Sequence, residues 1–183
     1  MKRMAESHWG AIAIFAALAL WPGSIAPLNA AAVTPAESSV SVTYVNSEQF
    51  TENRLYGRQD RFNRVDYLAQ LKAYLIKQGQ AVLKPGQSLH VDVTDIRLAG
   101  AYEPWRGPQW SYVRIMRDIY PPRIDLYFKL VDQDGNVLRD GKRVLRNIDY
   151  LHSGASLPAT EGAPLYYDKA LLRRWLSRGP DKL

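Results

Sequence analysis

The chain has 183 residues, with 24 Lys or Arg against 18 Asp or Glu, a formal net charge of +6 and no cysteine. That length suits one domain with a real core. The missing cysteines exclude disulfides, thiolate metal sites and cysteine nucleophiles, so stability has to come from packing.

The first thirty residues read as an export signal. Lys2 and Arg3 precede the apolar run GAIAIFAALALW (Gly10 to Trp21), Pro22 and Gly23 break it, and LNAAAVTPAESS offers small residues for cleavage after Ala30 or Ala32. The run is shorter than the roughly 20 residues needed to cross a bilayer. No stable membrane span is therefore expected after cleavage. No cysteine follows it, which excludes a lipid anchor. Cleavage removes Lys2, Arg3 and Glu6 and leaves a net charge of +5. The location expected is periplasmic. The charge favours anionic envelope partners such as phosphorylated glycolipid or peptidoglycan carboxylates, or simply keeps the protein soluble. Nucleic acid is not expected as a partner of an exported chain.

Residues 31–39 read as a flexible tether, and VSVTYVN (Val40 to Asn46) alternates as a half-buried strand. SEQFTENRLYGRQDRF lacks periodicity and reads as a long loop. NRVDYLAQLKAYLIKQGQ is a helix, with Leu68, Leu71 and Leu75 on one face, Asn63 as its expected cap and Gly79 as its expected stop. LKPGQ is a turn. SLHVDVTDIRLAG is a strand whose alternation slips near Asp95, the mark of a bulge or a strand end. Ile124, Leu126, Phe128 and Leu130 share one face of a further strand. DQDGN turns that strand back into VLR. A second turn is expected at Asp140–Gly141, before the strand KRVLRNIDYL. HSGASLPATEGAP reads as a loop. LYYDKALLRRWLSRGP reads as a helix with an apolar stripe at Leu165, Leu172, Trp175 and Leu176, and Asp168 early on to suit the dipole.

Two amphipathic helices need an apolar face to cover. The order therefore predicts an α+β two-layer sandwich, a mixed sheet of four to six strands packed by two helices. Its first two strands would be parallel, joined by a right-handed crossover. One domain over residues 40–178 and a tail at 179–183 complete the expected organisation.

VSVTYVNSEQFTE, LKPGQSLHVDVTDIRLAG, EPWRGP, VRIMRDIYPPRIDL and ALLRRWL resemble the DUF 3016 family of exported bacterial proteins, across about Val40 to Arg178. The resemblance implies an envelope protein of a Gram-negative cell. It implies no activity, cofactor or catalytic residue.

Metal chemistry has little to work with. Beyond the leader only His90 and His152 remain, in separate elements. DQDGN has its glycine too early for a calcium loop and lacks the closing acid. No nucleophile elbow and no phosphate loop is present. No cofactor, metal or catalytic residue is expected.

What remains is EPWRGPQWSYVRIMRDIYPPRIDL, residues 103–126. It sets tryptophans and tyrosines among arginines, prolines and acids. In one reading Trp105 and Trp110 close the core as a lid, with arginines paired to Glu103, Asp118 and Asp125. In the other, the rings and Arg106, Arg114 and Arg117 bind an anionic or glycan-bearing ligand or a partner protein, as aromatic and guanidinium groups do at hot spots. The binding set is then Glu103, Trp105, Arg106, Trp110, Arg114, Arg117 and Asp118. The alternative is a small cell-wall glycan hydrolase using Glu103 and Asp118 as paired carboxylates.

Overall fold

A computed structural model describes residues 39–63, 66–153 and 164–183, without the side chains of residues 58–63. The expected leader, nearly all of the tether and most of the loop at 152–164 lie outside the described residues.

The elements run β1 (Ser39–Tyr44), α1 (Thr51–Asn63), α2 (Tyr67–Val82), β2 (Ser88–Arg97), β3 (Ala101–Tyr102), β4 (Arg114–Ile115), β5 (Arg123–Val131), β6 (Val137–Arg146) and α3 (Tyr166–Leu176). Strands β1, β2, β5 and β6 lie side by side in that order. β1 is parallel to β2, and the other two pairings are antiparallel. The fold is α+β, a mixed four-stranded sheet with its core on one face.

Period-two alternation explains that face. Val40 and Val42, then Leu89, Val91 and Val93, then Ile124, Leu126, Phe128 and Leu130 are buried on it. Leu71 and Leu75 of α2 and Leu172, Trp175 and Leu176 of α3 close the same core. The Phe128 ring meets Trp175 edge to face, with centroids 5.9 Å apart. Burying each such side chain contributes about 1.5–3 kcal/mol.

The slip near Asp95 is a bulge, for the β2–β5 register shifts between Val93 and Asp95. It changes the parity of β2, so Ile96 and Leu98 return to the core. Asp95 is thereby freed to grip Thr51, whose backbone N–H and Oγ1 donate to it over 2.6 and 2.8 Å.

Several local expectations are corrected. The segment read as a long loop contains helix α1. Its composition is polar, so no stripe announces it, and its first turn is held by Asp95 from across the chain. Asn63 ends α1 instead of capping α2. The cap is Asp66, which accepts from the Ala69 N–H over 2.9 Å. Gly79 is not a stop but lies inside α2, where an added Cβ would come within 3.0 Å of Val40. Helix and sheet touch there. No turn forms at Asp140–Gly141. β6 runs straight through, with Gly141 opposite Phe128 and the Arg143 guanidinium 4.9 Å above that ring. The residues read as a tail fold back, and Leu183 joins the core while its carbonyl accepts from Arg143 over 2.6 Å.

Candidate functional site

β2 ends at Arg97, and the next backbone groups find side-chain partners in place of a strand. The N–H of Leu98 donates to Glu52 over 2.9 Å and that of Ala99 to Asp168 over 3.0 Å. Both carboxylates are buried. Gly100 then turns the chain with φ 79°, a conformation that glycine accepts without a Cβ penalty. A Cβ there would also meet the carbonyl of Ile115 at 2.9 Å. That close approach lets β3 pair with β4.

Arg114 on β4 turns inward, so the sequence expectation of an outward, ligand-holding Arg114 is corrected. Its guanidinium pairs with Glu52 and donates to the carbonyls of Ala99 and Gly100 over 3.2 and 3.1 Å. It also lies 5.4 Å from the Tyr56 ring centroid and 4.8 Å from that of Tyr102. Around it the strand is only two residues long, Arg114–Ile115.

Burial drives the Asp168 carboxyl up to about 6, against the Ala99 N–H and the charge of Arg114. A carboxyl whose folded value lies above its ordinary 3.8 stabilises most when protonated, and that stability fades as pH rises from about 3.8 through about 6. Asp168→Asn keeps an acceptor for Ala99 and removes the charge. Denaturant midpoints for wild type and variant should diverge across that window, with the variant ahead at the higher pH. Parallel curves would dismiss the effect.

Glu103 forms a second knot, nearer the surface. It has no exposed area. Arg117 donates over 3.0 Å, Tyr120 over 2.9 Å and Arg106 over 3.4 Å. Burial pushes the carboxyl up, but the bonds from Tyr120 and Arg117 and the charges of Arg117 and Arg106 prevail and hold it below its ordinary value.

The tryptophans stand on this knot. Trp105 lies in a short 3-10 turn, Pro104–Arg106, and Trp110 in another, Pro108–Trp110. Trp105 is 72% exposed and Trp110 38%. The Arg106 guanidinium sits 5.5 Å from the Trp110 ring centroid. Tyr112, Val113, Met116 and Ile119 are also exposed. Of the pairings in the lid reading, Arg106 and Arg117 meet Glu103 and Arg123 meets Asp125, whereas Asp118 has His152 and, among the described residues, no arginine. Trp105 itself faces mainly outward.

Asp118 is exposed, with His152 at 3.7 Å, whereas Glu103 has no exposed area. A glycosidic acid needs a raised pKa, whereas Glu103 is held ionised by its neighbours. The structure thus brings Glu103, Arg106, Arg117 and the rings together and leaves Arg114 and Asp118 outside. Sequence reasoning missed Glu52 and took Asp168 for a dipole partner. A shallow hollow of about 510 Å³ also lies on the sheet's open face, lined by His90, Asp92, Tyr127, Lys129, Val131 and Gly135. Among the described residues no group of three His, Asp or Glu side chains could hold a metal ion, and no helix is long and apolar enough to cross a membrane.

Residues 38–178 match a family described as "Protein of unknown function (DUF3016)". No curated protein matches the chain. Among solved structures, lipoprotein GNA1162 from Neisseria meningitidis is similar at 13% identity over 62% of this chain and 83% of that one, with a TM-score of 0.24. A score that low carries no argument.

Proposed function

Since the chain belongs to the DUF3016 family, which assigns it no activity, we propose from its own geometry that it is an exported, non-catalytic interaction protein of the bacterial envelope. Its binding face is residues 102–120 and its ligand a partner protein. The observation that carries this is the exposure of Trp105 and Trp110 beside Tyr112, Val113, Met116 and Ile119. Soluble proteins seldom leave such clusters uncovered without a use for them.

The balance of charge chooses among ligands. Arg106 and Arg117 already share Glu103, and Arg114 belongs to Glu52, so little free positive charge remains for an anion. Aliphatic groups such as Ile119 and Met116 suit an apolar protein surface better than a sugar ring. Trp, Tyr and Arg are the residues that dominate protein hot spots. The export half of the reading rests on Lys2, Arg3 and the apolar run Gly10 to Trp21.

Cross-linking in intact cells, followed by capture from the osmotic-shock fraction, tests both halves. Wild type should capture a protein that a Trp105→Ala, Trp110→Ala double variant loses. The variant should stay within about 0.5 kcal/mol of wild-type stability, as surface changes usually do. Equal capture by both proteins would remove these residues as the face. A chain retained in the cytoplasm would sink the export half.

A further inference from the structure

We infer that Arg97, Arg123 and Arg146 form a binding site for a phosphate ester on the open face of the sheet. Register places them in one row, with Arg97 opposite Arg123 and Arg123 opposite Arg146. Their neighbours Ile96 and Ile124 are buried in the core, and Leu145 packs against it, so the three arginines point to the other side. Adjacent strands lie about 4.8 Å apart, so the Cα atoms of the three arginines span about 10 Å.

Like charges directly opposite one another destabilise a sheet. The acids nearby are committed. Asp125 holds Arg123 in a two-pronged pair of 2.8 and 2.6 Å, which leaves the Nη1 of Arg123 outside it. Asp95, opposite Asp125 in the register, serves the start of α1. Among the described residues, neither Arg97 nor Arg146 makes an ion pair. The Nε of Arg97 is buried without any acceptor. A buried donor left unmade is costly, so the fold keeps Arg97 in this row at a cost.

The charge gathered in this row selects the ligand. A carboxylate brings one negative charge on two oxygens. A phosphate monoester spreads up to two negative charges over three terminal oxygens, which suits the unpaired guanidinium groups of Arg97 and Arg146 together with the remaining Nη1 of Arg123. The same group occurs on a soluble phosphate ester and on a lipid headgroup. This site shares no residue with the aromatic face and stands or falls apart from it.

Calorimetric titration of the full chain with methyl phosphate, at ionic strength fixed with chloride, tests the inference. Saturable binding is expected. Arg97→Gln and Arg146→Gln should each weaken it by about tenfold or more, the worth of one charged hydrogen bond. Arg178→Gln, an exposed charge at the end of α3, should leave it unchanged. Without phosphate, Arg146→Gln should melt no lower than wild type, because it relieves repulsion. A purely structural arginine would lower the melting temperature. Flotation with phosphatidylcholine vesicles, with and without phosphatidic acid, separates the sources. Capture that needs phosphatidic acid and Arg146 assigns a lipid headgroup. Saturable methyl phosphate binding without flotation assigns a soluble ester. No binding in either arm, or equal weakening by Arg178→Gln, overturns the site.

Discussion

Truncating Glu52 to alanine should destabilise the protein by about 3–5 kcal/mol, the usual consequence of removing one partner from a buried ion pair. Glu52 has no exposed surface, and the side chain of Arg114 is only 16% exposed. Without the carboxylate, Arg114 keeps the carbonyls of Ala99 and Gly100 but loses its counter-charge, and the Leu98 N–H loses its acceptor. Glu52→Gln preserves shape and an acceptor, so it should cost less. Chemical denaturation of the two variants beside wild type checks this. A Glu52→Ala variant as stable as wild type would mean that the pair is not formed.

Phe128→Ala should cost a similar amount, about 3–5 kcal/mol, from lost transfer energy plus the cavity left behind. The ring is fully buried between Trp175 of α3 and the Arg143 guanidinium laid across the gap at Gly141. Layers on either side cannot collapse easily, because α3 is also pinned through Leu172 and Leu176. Thermal unfolding should show the loss as a lower midpoint. A change under about 1 kcal/mol would show that the site relaxes, contrary to its close packing.

What was legible in the sequence was whatever neighbours decide. Leu71 and Leu75 sit four residues apart on α2, and that spacing alone put them in the core. Ile124, Leu126, Phe128 and Leu130 alternate without interruption, and β5 followed. Even the bulge could be read, because Ile96 and Leu98 break the parity of Leu89, Val91 and Val93. What could not be read was whatever distant residues decide. Helix α1 begins at Thr51 because Asp95 holds it. Glu52 meets its N–H partner 46 residues away, and Asp168 meets its own 69 residues away. Asp140–Gly141 looks like a turn by local chemistry. Its strand geometry follows from Phe128 on the neighbouring strand. At the candidate face, the mixture of rings and arginines was visible as an oddity. The division of labour was not: Arg106 and Arg117 hold the carboxylate, Arg114 goes inward, and Trp105 faces out.

β6 is the last strand of the sheet, ten residues long and largely exposed, and its outer side has no partner strand among the described residues. A long free edge invites a second chain to add to it, and exposed Val137, Leu138 and Val144 would reward that contact. Yet the same strand carries Arg139, Lys142, Arg143 and Arg146 against the single acid Asp140. Two copies docking edge to edge would set cation against cation at most registers. The strand thus carries its own guard against fibrous self-assembly.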